Sequence, residues 1–225
     1  MLKYTKRFVI WKNGKEDTMS VIVDESESAV NCLMTLYLLK HSDNRIDGIT
    51  KLQKLTFATQ KEMAQEGICA ISGEFFRWDY GPMSNEVYGT NDILVENDLV
   101  EDRALALTDR GEAFLGDFAY IVENNKEAFA IIDKCIDEFS YLNLRELKEK
   151  IYSMMIVPLG CGKPRAIRDL PHGTTILRNK GFHSINIDAD DIETLAICLS
   201  EEMYQSVLDG IDDARSGRIG CLEIA

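Results

Sequence analysis

Three consecutive pieces of the chain decide its fold: IDGITKLQKLTFATQKEMAQEG (46–67), FFRWDYGPMSNEVYGTNDILVENDLVED (75–102) and ALALTDRGEAFL (104–115). Ile49, Leu52 and Leu55 recur at helical spacing, and Gly67 is placed to stop the helix. Glu74 to Tyr80 is too aromatic and too short for a helix, which predicts a buried or edge strand. Gly81 then releases the backbone, and Pro82 sits where a first helical turn needs no N–H donor, so the spacing predicts a helix over 83–97. Leu99-Val100 closes that helix, and Ala104 to Leu107 makes a short extended return. Thr108 or Asp109 caps the next helix, which runs towards Tyr120. The stretch reads as a scaffold for recognition, without an evident catalytic set.

Upstream, two β-prone runs, Lys6 to Trp11 and Thr18 to Val23, flank Asn13-Gly14, the dipeptide best suited to a type I′ hairpin turn. Asp24 and Glu27 have capping-box spacing and open a helix to about His41. Its apolar stripe is Val30, Leu33, Met34, Tyr37 and Leu38. Downstream, Phe129, Ile132, Cys135, Ile136 and Phe139 share one face of a helix over 125–143. Asn143 caps another that carries Leu144, Leu147, Ile151, Met154 and Met155, and the two are expected to pack as a hairpin on the earlier bundle.

Periodicity stops at Pro158. Residues 158–181 read as a long loop or linker rich in proline and glycine, with Lys163, Arg165, Arg168, Arg178 and Lys180 against Asp169 alone. Phe182 to Ile187 suits a short strand and Asp190 to Leu199 a helix. Ser200 caps a second acidic helix holding Met203, Val207, Leu208 and Ile211. The expected fold is mainly α (α+β): a helical bundle with a winged-helix-like core, an N-terminal β-hairpin and a small C-terminal helical appendage. Its expected divisions are 1–157, the basic loop 158–181 and the acidic segment 182–225.

Bulk properties narrow the function. A chain of 225 residues with 45% hydrophobic and 28% charged side chains holds one generous domain, or a domain with an appendage, around a real core. No apolar run reaches the length of a membrane span, and the opening MLKYTKRFVIWKNGK has no signal core, so a cytoplasmic protein is expected. Six cysteines without a CxxC pair suit reduced thiols and argue against zinc. The net charge of −13 argues against coating nucleic acid. It is unevenly spread: residues 1–20 carry a local +3, whereas 181–225 carry ten acids against Arg215 and Arg218, a local −8. Such a tail suits a basic protein partner, and a merely solvated helix face explains it equally.

Catalytic and metal chemistry is weakly signalled. His41, His172 and His183 are isolated, and a Cys161/His172 nucleophile pair has no supporting Walker or GxSxG context. Asp190, Asp191 and Glu193 lack calcium-loop spacing and instead favour a helix start. No metal and no cofactor are expected. The sharpest local feature is the aromatic set Phe75, Phe76, Trp78, Tyr80 and Tyr88. It reads first as core under the turn and second as a partner groove, with Trp78, Tyr80 and Tyr88 as contacts.

The order of Lys51-Leu52-Gln53-Lys54-Leu55, Trp78-Asp79-Tyr80-Gly81-Pro82, Val87-Tyr88 and Leu107-Thr108 resembles the Panacea domain (SocA-like antitoxins) and its YwgA-like relatives, over roughly residues 29–115. The resemblance implies a mainly helical domain with an antitoxin or chaperone-like role and no enzyme activity. Ser206 to Ile219 is also similar to the acidic tail of small antitoxins, through Gly210-Ile211-Asp212-Asp213 and Gly217-Arg218.

The leading expectation is therefore a non-enzymatic, antitoxin-like protein that neutralises or chaperones a basic toxin-like partner through Met203, Val207, Leu208, Ile211, Asp212 and Arg218. The same apolar stripe could equally dock on the protein's own body, and a homo-oligomer is compatible with either arrangement. The alternative is a winged-helix regulator. It is less favoured because no Lys or Arg occurs between Met83 and Asp102, which leaves the 163–180 cations and the basic amino terminus to contact nucleic acid. An enzyme using Cys161 or the basic loop on a phosphorylated ligand is the third reading.

Overall fold

The computed structural model describes residues 3–12, 15–43, 45–158 and 162–216, with side chains from Ser26 onward. β1 (Lys3–Lys12) and β2 (Lys15–Asp24) pair antiparallel with Lys12 opposite Lys15. The expected hairpin is therefore present, and its Asn13-Gly14 turn lies outside the described residues. The chain then runs straight into α1 (Glu25–His41). The side chain of Asp24, half of the expected capping box, is also outside the described set, and Glu27 accepts a hydrogen bond from Ser72 Oγ at 2.5 Å.

α1 and α2 (Ile49–Gln65) are the two central helices. The one-sided stripe expected on α1 is corrected. Residues 28–34 and 36–39 are buried around the whole circumference, because later helices pack on several sides of it. α2 is buried without a break from Lys51 to Gln60. Three of its inward polar side chains, Gln53, Lys54 and Gln60, donate to backbone carbonyls of the next segment of chain.

That segment is β3 (Gly73–Trp78), a tight turn, and β4 (Gly81–Met83), antiparallel with Trp78 opposite Gly81 and Arg77 opposite Pro82. The placement of Pro82 in a first helical turn is thus corrected. Pro82 lies on an edge strand, where a missing N–H is tolerated, and α3 (Asn85–Glu96) begins only after Ser84. An isolated bridge, Val100 to Leu107, forms the extended return into α4 (Asp109–Asp117). Thr108 caps α4 by accepting from the Gly111 N–H at 3.1 Å. A Cβ on Gly111 would stand 2.1 Å from the Leu99 carbonyl oxygen, so this close crossing demands glycine.

α5 (Ala119–Asn124) and α6 (Lys126–Phe139) follow. Phe129, Ile132, Cys135, Ile136 and Phe139 are all buried, as their spacing predicts. Asn143 and Glu146 form a complete capping box at α7 (Leu144–Ser153). Met154 and Met155 lie beyond this helix, contrary to the sequence reading: β5 (Met155–Ile156) pairs with β6 (Arg165–Ala166).

The irregular reading of 158–181 is likewise corrected. A short 3-10 turn (Ile167–Asp169) packs on α7, and β7 (Thr175–Asn179) completes a three-stranded sheet in the order β4-β3-β7. Residues 182–187 form turns rather than a strand, tied back by the Ser184 N–H to the Cys69 carbonyl at 3.0 Å. α8 (Ala189–Leu199), capped by Asp188, covers α1, and α9 (Glu201–Arg215) ends the described chain. The architecture is mainly α with small antiparallel sheets.

Candidate partner-binding surface

Ser200 starts α9 by accepting from the Met203 N–H at 3.3 Å, and no residue of the helix is buried. Met203, Tyr204, Val207, Leu208 and Ile211, all at least 37% exposed, recur at three- and four-residue intervals and so share one face. Residues 201, 202, 209, 212 and 213 add five exposed carboxylates to the same helix. α9 packs principally on α8, and its apolar face is not docked on the protein's own body as the sequence had allowed. Asp212 is exposed with the rest, and Arg218 lies outside the described residues.

The base of α9 is held by Arg110, a residue the sequence reading did not single out. Its guanidinium donates to the Asn97 carbonyl and to the Cys198 carbonyl at 2.9 Å, while Nε stands 2.6 Å from Glu201 Oε2. The Glu201 N–H adds a bond to Asn97 Oδ1 at 3.4 Å. One side chain from the LTDRG segment thereby joins the end of α3 to the α8–α9 junction. The only advance signal was an arginine one residue inside the start of a helix, where the helix dipole does not favour a cation.

The aromatic set divides. Phe75 is core, with its ring 5.3 Å from that of Phe57. Trp78 is half-buried, 4.1 Å from the His172 ring. Tyr80 is 64% exposed at the tip of the turn, with Lys148 Nζ 4.7 Å from its ring centre. Tyr88, half-buried on α3, has its phenol pKa raised by burial and makes no ring contact with the other two among the described residues.

Under this turn, Lys54 on α2 is buried and donates to the Pro82 carbonyl at 2.7 Å. Burial and the neighbouring Lys148 lower its ammonium to about 8. Tyr152 on α7 donates to the Asp79 carbonyl at 2.7 Å and faces a cavity of about 540 Å³ lined with Glu149 and Arg168.

The five loop cations form no common site. Arg178 makes a bidentate pair with Glu74 at 2.9 and 3.0 Å, which holds that carboxyl below its usual range. Arg168 turns to the Tyr152 cavity, while Lys163, Arg165 and Lys180 are exposed. Burial raises the Cys135 thiol to about 11 and raises that of Cys198, and Cys161 lies outside the described residues. Among the described residues no cluster of His, Cys, Asp or Glu could hold a metal ion, and no helix is long and apolar enough to cross a membrane.

No family model matches the chain, and no curated protein or solved structure matches it.

Proposed function

We propose that the protein is a non-enzymatic, antitoxin-like binding protein that captures a small basic partner on α9. The observation that carries this reading is the uncovered apolar face formed by Met203, Val207, Leu208 and Ile211 on a helix rich in carboxylates. Burying such a face in a groove supplies affinity, and the acids supply orientation and a fast encounter with a cationic surface. A second copy of this chain is a poor occupant, because it would bring two segments of local charge −8 together. The resemblance of the KLQKL and WDYGP segments to the Panacea domain implies an antitoxin-like role as well.

The test is co-expression with the product of the neighbouring gene. Wild type is expected to form a stable complex with a small basic protein and to restore growth. Changing Val207, Leu208 and Ile211 together to serine is expected to weaken the complex on the order of a hundredfold. Equal binding and equal rescue by the triple variant, or a neighbouring product that is neither basic nor bound, would overturn the reading.

A further inference from the structure

The turn between β3 and β4 gathers cations around Tyr152 that the chain's own carboxylates do not neutralise. Lys54 is 3% exposed, and its ammonium has one hydrogen bond among the described residues, to the Pro82 carbonyl. The Arg77 guanidinium lies 5.5 Å from the centre of the Tyr152 ring, and its buried Nε has no hydrogen-bond partner among the described residues. Lys148 sits over Tyr80, and Arg168 lines the cavity beside Tyr152. Among the described residues none of these four cations is in an ion pair.

The nearby acids are already engaged. Glu149 pairs with Arg145 at 3.2 Å, and Asp79 stands 3.3 Å from His172. Gly81 lets the elements close on one another: a Cβ there would stand 3.2 Å from Lys54 Cε and 3.7 Å from Tyr152 Cζ.

We propose that the cation cluster around Tyr152 binds a small phosphate-bearing ligand at the adjoining cavity, its anionic group held by Arg168, which lines that cavity beside Glu149, with Arg77 and Lys148 close by and the charge of Lys54 behind them. A buried ammonium and a buried guanidinium nitrogen with unspent donors are costly until an acceptor arrives. The low pKa of Lys54 has the same origin, and a bound anion relieves it. The cavity, about 540 Å³, is of the size that takes small molecules and exceeds what inorganic phosphate needs. The exposed Tyr80 ring offers a face for a planar group beside it.

Isothermal titration calorimetry with inorganic phosphate and with AMP, as separate probes, tests the site. Wild type is expected to bind at least one of them saturably at one site per chain. Arg168→Ala and Lys148→Ala, both checked for folding by circular dichroism, are each expected to weaken binding at least about tenfold. Arg178→Ala, which removes a cation already spent on Glu74, is expected to bind as wild type does. Tighter binding of AMP assigns its organic half to the Tyr80 face, and equal affinity assigns recognition to the phosphate alone. No saturable binding of either probe, or wild-type affinity in both the Arg168 and Lys148 variants, would overturn the proposal. The triple-serine variant of α9 is expected to bind both probes normally, so this site and the partner surface fail independently.

Discussion

The side-chain amide of Gln53 holds both backbone groups of Ser84: Nε2 donates to the Ser84 carbonyl at 2.8 Å, and the Ser84 N–H donates to Oε1 at 2.9 Å. Ser84 is fully buried at the joint between β4 and α3, where neither a sheet nor a helix satisfies it. Asn31 on α1 does the same for Ser72, just before β3, at 2.8 and 2.9 Å. Two buried amides on the two central helices thus clamp the ends of the β3–β4 hairpin and fix the turn that presents Tyr80.

Gln53→Leu should leave the Ser84 N–H and carbonyl buried without partners. A loss of about 2–4 kcal/mol in urea unfolding is expected, from two unmet backbone groups. A loss below about 1 kcal/mol would mean that water or a backbone shift replaces the clamp.

Lys54 makes stability depend on pH in the alkaline range. Its folded value of about 8 lies below the ordinary 10.5. Between those values the unfolded chain binds the extra proton, so the contribution of Lys54 to stability rises with pH over that window. The stability of wild type relative to Lys54→Met should therefore increase between pH 7 and pH 10.5, by up to about 3 kcal/mol. Parallel pH profiles of the two proteins would refute a buried ammonium.

Two glycines of α4 should respond oppositely to alanine. At Gly111 a Cβ meets the Leu99 carbonyl oxygen at 2.1 Å, whereas at Gly116 nothing lies within 4 Å. Gly111→Ala is expected to cost about 3 kcal/mol or more through backbone displacement. Gly116→Ala is expected to add about 0.5–1 kcal/mol from helix propensity. Thermal melts of the pair decide it.

Arg110→Ala should free α9 without unfolding the body. It removes the bonds to Asn97, Cys198 and Glu201 at the α8–α9 junction. Amide exchange over residues 200–204 is expected to quicken by about tenfold while exchange in α1 and α2 stays slow. Unchanged protection at the start of α9 would show that Ser200 and the contact with α8 suffice to hold it.

Features set within a few residues of chain were legible in advance. Thr108, Asn143 and Ser200 cap the helices they were expected to cap, because the acceptor and the N–H it satisfies lie two or three residues apart. The buried face of α6 followed from spacing alone. Misreadings gathered where a distant element supplies the deciding bond. Pro82 looked like the start of a helix because its own φ suits one. Pairing with Arg77 and the bond from Lys54 make it a strand. Thr175 to Asn179 sits in a proline- and glycine-rich stretch and becomes a strand because β3 offers it an edge. The apolar stripe on α1 showed one face only, since periodicity cannot register a helix covered on every side.

By itself the sequence determined a mainly α protein with an amino-terminal hairpin, an aromatic turn, and an acidic last helix bearing an apolar stripe, because period, caps and charge are local properties of the chain. Only the tertiary structure decided that the stripe on α9 stays uncovered, that Arg110 holds its base, and that Lys54, Arg77, Lys148 and Arg168 come together near Tyr152 from four parts of the chain. Those outcomes depend on which surfaces meet across roughly a hundred residues of chain, and an uncovered face and a covered one are spelled with the same side chains.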